Sequence, residues 1–295
     1  MRALIIETAF PGDAIMSLTL ARGLKLEDPA TSVTYLVRPD VQEIIARSPD
    51  VDNVRVFDKR GSESGMAGLR KKASELAGFD TLYLLHSSRR SQELARRLDT
   101  PIKIGFSGAR HAGLTRAVPD PEGVDRYERP TYLLDSVPVG PRLLPRLVCE
   151  APTAARQFVE RSSGAPVVAL APGSAWETKQ WGSERFAELA ARLAGAGARI
   201  MVIGGPDAQA AASLIAGSVP AERLLDLTHG TPMTSSAGAL ALAGLVIAND
   251  SAPVHMAVAV GVPVLALFGP TVRAFGCAPP AGCGEVMEVE GLWCR

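Results

Sequence analysis

Short apolar runs alternate with amphipathic stretches almost from one end of the chain to the other. In the first half, residues 3–8, 32–37, 53–57, 81–85 and 102–106 read as buried strands. The segments 13–26, 41–47, 67–77 and 92–98 between them read as helices. Ile15, Leu18 and Leu20, with Ala14 and Ala21, fit one helical face and not period-two alternation. The pattern then degrades from Gly108 to Pro152 under Pro119, Pro121, Pro130, Pro138, Pro141 and Pro145. That stretch reads as the end of a first domain and a linker, with Tyr132-Leu133-Leu134 as a helical piece. Alternation restarts with strands at 167–171, 199–203, 224–227, 245–248 and 264–268, and helices at 183–193, 207–215, 235–242 and 253–260.

Repeated strand–helix units of this size predict parallel sheets covered on both faces. The fold class is therefore α/β, with domains at residues 1–150 and 151–295. Ligands of such sheets sit outside the carboxyl ends of the strands, and two domains of this kind are expected to face each other across a cleft.

Composition narrows the class. The chain has 295 residues, 47% hydrophobic and 21% charged, as expected of a folded globular protein. No apolar run approaches the roughly 20 residues that cross a bilayer, and Glu7 interrupts the only candidate signal segment, so a secreted location is not expected. Net charge is zero, although residues 1–150 carry 22 Lys+Arg and 20 Asp+Glu against 9 and 11 in residues 151–295. The first half is too weakly basic for a nucleic-acid surface. Cys149, Cys277, Cys283 and Cys294 form no C-x-x-C pair, so reduced thiols are expected in place of a zinc site.

The candidate chemistry lies at strand ends. Asn249-Asp250-Ser251-Ala252-Pro253-Val254-His255 leaves a strand and opens a helix, where backbone N–H groups and the helix dipole favour an anion such as a diphosphate. Asp250 or Ser251 suits the N-cap, and His255 lies one turn on. An ordinary capped helix is the alternative. Gly12-Asp13 follows the first strand: Gly12 would permit a sharp turn, and Asp13 is either an N-cap or a base able to take a hydroxyl proton.

The loop Ala171-Pro172-Gly173-Ser174-Ala175-Trp176-Glu177-Thr178-Lys179 carries Ser174, Thr178 and Lys179 for phosphate oxygens, or is a helix-entry loop with a solvated lysine. Gly204-Gly205-Pro206-Asp207 is a tight turn that could also approach a nucleotide. His86, Ser88, Arg89 and Arg90 end the fourth strand and suit an anionic acceptor, against a solvated helix face. Asp50-Val51-Asp52 precedes a strand and reads as a turn, not a metal site. Walker A, G-x-S-x-G, H-E-x-x-H and G-x-G-x-x-G signatures are all lacking.

Taken together, these segments resemble glycosyltransferase family 9, the ADP-heptose:lipopolysaccharide heptosyltransferases, with the heptosyltransferase II branch nearest. The resemblance rests on Gly12-Asp13, Asp58-Lys59-Arg60-Gly61, His86 to Ser91, Ile104-Gly105-Phe106, Ala169 to Trp181, Gly204 to Asp207, Asn249 to His255 and Phe268-Gly269-Pro270-Thr271, in order along the chain. It implies a GT-B architecture of two Rossmann-like domains, the first binding acceptor and the second nucleotide sugar. It also implies an inverting, metal-independent transfer of heptose from ADP-L-glycero-β-D-manno-heptose to a heptose of the lipopolysaccharide inner core, with no cofactor.

By that resemblance Asp13 is the base. Ser174, Thr178, Lys179, Gly205, Asp250, Ser251, Ala252 and His255 bind donor, and Gly12, His86, Ser88, Arg89 and Arg90 meet acceptor. The enzyme is expected in the cytoplasm, peripheral to the inner face of the inner membrane. Two departures are noted: Ala252 stands where the family usually has glycine, and the chain, ending at Trp293-Cys294-Arg295, is expected to lack the family's C-terminal helix. Another nucleotide sugar, or a truncated protein that binds without turnover, remain the alternatives.

Overall fold

Apolar runs short enough to be single strands assemble, in each half of the chain, into one six-stranded parallel sheet. A computed structural model describes residues 1–135, 143–288 and 291. Two units divide between Arg146 and Leu147. Pro138, Pro141 and Trp293 to Arg295 lie outside the described residues.

The first unit runs β1 (Arg2–Ile6), α1 (Pro11–Met16), α2 (Leu18–Glu27), β2 (Ser32–Val37), α3 (Gln42–Ile45), β3 (Asn53–Val56), α4 (Met66–Glu75), β4 (Thr81–Leu84), α5 (Arg89–Arg97), β5 (Ile102–Phe106) and β6 (Arg116–Val118). Its strand order is β3-β2-β1-β4-β5-β6. β1 lies between β2 and β4, with Ile5 opposite both Tyr35 and Tyr83. Parallel strands covered on both faces must be apolar throughout; Leu4, Ile6, Leu36, Leu82 and Leu84 accordingly pack with Phe57, Leu69 and Leu94 in a buried core.

The second unit runs α6 (Thr153–Glu160), β7 (Val167–Ala171), α7 (Ser183–Gly195), β8 (Arg199–Val202), α8 (Gln209–Ala216), β9 (Leu224–Asp226), α9 (Met233–Leu240), β10 (Leu245–Asn249), α10 (Ala252–Val260), β11 (Val264–Phe268) and β12 (Gly284–Glu288). The order β12-β11-β10-β7-β8-β9 repeats the first topology. Ile247 of β10 stands opposite Leu170 of β7 and Leu265 of β11, and Phe186, Ala190 and Ile200 join the core beneath. Both sheets reverse direction of growth once, between β1 and β4 and between β7 and β10. In a doubly wound sheet that switch point opens a crevice at the strand carboxyl ends.

Five elements differ from the sequence pattern. The helix expected over 13–26 is two helices, broken at Ser17. There the Ser17 hydroxyl donates to the Ala14 carbonyl (2.8 Å) and the Ser17 carbonyl accepts from the Tyr35 hydroxyl (2.8 Å), so side-chain bonds compete with the helical ladder. β6 lies inside the proline-rich stretch read as linker and pairs with β5 as an edge strand. β12 is a polar edge strand with only Val286 turned inward. α6 precedes the second sheet where no helix was expected. Of the piece expected at Tyr132-Leu133-Leu134, the first two residues belong to a 3-10 turn, Arg129–Leu133.

Candidate functional site

In the first unit the switch point places Glu7 and Thr8, just past β1, beside Leu85 and His86, just past β4. With Asp13 of α1 they line a cleft of about 230 Å³ that also takes Arg38, Lys59, Arg60, Arg126 and Arg129. Two carboxyl groups therefore share the cleft with five cations.

Glu7 is buried, and one of its oxygens accepts the Ala9 N–H at 3.0 Å. Burial first, and the negative charge of Asp13 second, push its carboxyl up to about 8, against the opposing pull of Arg129 and Lys59. At neutral pH Glu7 is thus protonated beside a charged Asp13.

Lys59 reaches into the same cleft. Its ammonium donates to Thr8 (2.8 Å) and Ser88 (3.3 Å) and lies 3.2 Å from His86 Nδ1. Partial burial lowers Lys59 to about 8. Burial, then the charge of Lys59, lowers His86 to about 4, so its ring is neutral and Nδ1 accepts from the lysine. Ser88 accepts the Ser91 N–H and caps α5, whereas Arg90 donates to the carbonyls of Glu63 (2.8 Å) and Gly65 (3.0 Å). Arg89 is exposed at the first position of α5. In the turn that presents Lys59, a Cβ on Gly61 would meet the Asp58 carboxylate, which would have to give way.

Asp13 is not an N-cap. Phe10 holds that position, and Asp13 is the third residue of α1, half-buried in the first turn. Gly12 is the second residue of that helix, with the chain turning earlier, at Phe10-Pro11. The pair Asp50 and Asp52 is occupied by structural partners: Arg146 binds Asp50, and Lys25 and the Val33 N–H bind Asp52 at 2.7 Å each.

In the second unit the loops after β7, β10 and β11 converge. Asn249, the last residue of β10, is wholly buried; its amide donates to the Pro172 carbonyl (2.5 Å) and accepts the Trp181 N–H (3.0 Å). This ties both ends of the Ser174–Lys179 loop to β10. One carboxylate oxygen of Asp250 receives both Lys179 Nζ and Thr271 Oγ1, each at 2.6 Å.

Ser251 holds the N-cap position of α10 without making a capping bond. Its hydroxyl donates instead toward the carbonyls of Gly173 (3.3 Å) and Asn249 (3.2 Å). Ala252 and Pro253 open the helix. His255, one turn in, is buried; burial lowers it to about 4 despite the nearby charge of Asp250. A neutral ring, an ammonium and a helix N-terminus together form an anion-accepting corner.

Ser174 is buried in the same loop, its carbonyl accepting Gln180 Nε2 at 3.0 Å. Thr178 is exposed in the 3-10 turn Glu177–Lys179. Gly205 belongs to the loop after β8 and neighbours Asp207, whose carboxylate would stand 2.6 Å from a Cβ on Gly173. Ser174, Lys179, Asp250, Ser251, Ala252 and His255 are therefore drawn together, with Gly205 one loop away.

Sequence reasoning did not single out Glu7, Thr8, Arg38, Arg60, Arg126, Arg129, Asn249 or Thr271 as site residues, and it gave Lys59 no role. Glu7 and Asn249 carried a readable signal, since Asn249 is the polar last residue of an apolar strand and Glu7 immediately follows one. Arg126 and Arg129 carried none, because they lie in the stretch read as linker. Among the described residues no group of three or more His, Cys, Asp or Glu could hold a metal ion, and no helix is long and apolar enough to cross a membrane.

Comparison with known proteins bears on the family and the fold. Residues 69–279 match the profile of glycosyltransferase family 9 (heptosyltransferase). The chain is 25% identical over 301 positions to lipopolysaccharide heptosyltransferase 2 of Escherichia coli K12, spanning 95% of this chain and 85% of that one. A family 9 glycosyl transferase from Veillonella parvula superposes with a TM-score of 0.86 at 22% identity, over 99% of this chain and 88% of that one. The E. coli ADP-heptose lipopolysaccharide heptosyltransferase II gives 0.80 at 23% identity, over 99% and 92%. These two superpositions show the shared GT-B fold. The profile match spans most of the chain and includes the whole corner around Asp250. This chain belongs to glycosyltransferase family 9, the heptosyltransferases.

Proposed function

We propose that the protein transfers heptose, with inversion, from ADP-L-glycero-β-D-manno-heptose to a heptose of the lipopolysaccharide inner core. In this reading the first unit holds acceptor and the second holds donor. The observation that carries it is the pairing, at one switch point, of a charged Asp13 with a protonated Glu7 in a cationic cleft. Asp13 takes the proton of the acceptor hydroxyl as its oxygen attacks the anomeric carbon of the donor. The bond from that carbon to the diphosphate breaks, and its electron pair leaves with ADP.

Charge developing on the departing diphosphate is met by Lys179 and the N-terminal amides of α10, with Ser174, Thr178, Gly205, Ser251, Ala252 and His255 around it. A fixed ammonium and a helix end supply the positive charge that a divalent cation supplies elsewhere, which supports a metal-independent reaction without cofactor. Arg38, Arg60, Arg126 and Arg129, with Lys59, suit an anionic acceptor; Gly12, His86, Ser88, Arg89 and Arg90 border the same strand ends. A lipid-linked acceptor places the enzyme in the cytoplasm, peripheral to the inner face of the inner membrane.

Incubation with ADP-heptose and a heptose-bearing core acceptor tests the reading. Transfer with inverted anomeric configuration is expected, together with tighter calorimetric binding of ADP than of UDP or GDP. Equal affinity for the three would point to another nucleotide sugar. Binding of ADP without transfer to any core acceptor would leave a sugar-nucleotide-binding protein.

A further inference from the structure

We propose that Thr271 is a positioning residue for Lys179, acting through Asp250. This rests on the reading that Lys179 receives the donor diphosphate.

Three separate chain segments meet at one oxygen atom. Asp250 follows β10, Lys179 ends the turn after β7, and Thr271 follows β11; the last two both donate to Asp250 Oδ2 at 2.6 Å. Asp250 and Thr271 are each 6% exposed, while the Lys179 side chain keeps 29% of its surface in solvent. The ammonium is thus gripped from its buried side and presented on its open side. The Thr271 hydroxyl fixes the carboxylate behind the lysine, so that the ammonium it grips is held in one place.

The hydroxyl has a second effect. A buried carboxylate needs donors, and without Thr271 the Asp250 oxygen would depend on Lys179 alone. The ammonium would then be claimed more completely by the protein, and less of its charge would be offered to phosphate. Outer partners that orient a charged ligand-binding group act in this way at many sites. Thr271 itself needs no contact with the donor.

The test compares Thr271→Val, which keeps the shape and deletes the hydroxyl, with Thr271→Ser, which restores it. Calorimetry with ADP on the full chain is the readout. Thr271→Val is expected to weaken ADP binding about tenfold, the equivalent of one charge-assisted hydrogen bond, and Thr271→Ser to return it to within about threefold of wild type. In a Lys179→Met background the same Thr271→Val change is expected to cost less than about twofold, because the residue it acts through is gone.

Unchanged ADP affinity in Thr271→Val overturns the proposal. So does an equal loss in the Lys179→Met background, or failure of serine to rescue in a variant that melts like wild type. Failure of the underlying reading looks different: the wild-type protein itself would not bind ADP, or Lys179→Met would bind it normally.

Discussion

Glu7 and Asp13 line one cleft at the end of β1, and the charge of Asp13 is, after burial, the main reason Glu7 keeps its proton up to about pH 8. The folded chain therefore binds a proton that the unfolded chain releases near its usual value of 4.5. Between these limits the unfolded state holds fewer protons, so the Glu7 contribution to stability falls as pH rises. Glu7→Gln is expected to remove that decline, because a neutral amide has no proton to lose. Thermal unfolding between pH 5 and about 8 checks this; identical slopes for wild type and variant would contradict it.

The acid limb has the opposite sign. His86 and His255 are lowered from 6.5 to about 4 in the folded chain. Between those values the unfolded state binds more protons, so stability is lost as pH falls from 6.5 toward 4. For the fully buried His255 this amounts to about 3 kcal/mol. His255→Gln is expected to flatten part of the limb in denaturant titrations at pH 7 and at about pH 4.5. A variant with the wild-type acid limb would show that His255 does not stay neutral in its pocket.

Asn249 joins β10 to both ends of the Ser174–Lys179 loop through two hydrogen bonds. Asn249→Ala strands the Pro172 carbonyl and the Trp181 N–H and leaves a small void. A loss of about 2–4 kcal/mol is expected, together with weaker ADP binding as the loop loosens. Chemical denaturation and calorimetry on one preparation measure both. Wild-type stability would mean that the loop has other anchors.

Lys179→Ala removes the ammonium of the anion-binding corner and leaves Asp250 with the Thr271 hydroxyl. ADP affinity is expected to fall about 10- to 100-fold, in line with the loss of a charge-assisted bond. Calorimetry with ADP is the check, and unchanged affinity would make the lysine a structural partner of Asp250 only.

Much of this was legible before any coordinates. Parallel strands buried on both faces are continuous apolar runs, so β1, β2, β4, β5, β7, β8, β10 and β11 announce themselves. The edge strands did not: β6 and β12 bury few side chains, and Arg116 and Glu285 give them no apolar face to read. The break at Ser17 was hidden because its cause, Tyr35, comes from the neighbouring strand.

Asp13, Lys179, Asp250 and His255 stand in strand-end motifs that the sequence alone singles out. Glu7 is visible as a charge that closes an apolar run, but in the sequence alone it serves only to exclude a signal segment. Thr271 stood in a quoted motif without a role, since nothing local to Gly269-Pro270-Thr271 reveals that its hydroxyl reaches Asp250. Arg126 and Arg129 reach their cleft only through the packing of a proline-rich segment, which no periodicity encodes.

The central claim is that Asp13 is the base of a heptosyl transfer whose donor is held by other residues. Asp13→Asn, an isosteric change, separates the two directly when ADP binding and heptose transfer are measured on the same protein. Transfer is expected to fall by at least about 10²-fold, as for loss of a general base, with ADP affinity within about twofold of wild type. Turnover at the wild-type rate in Asp13→Asn would contradict the account.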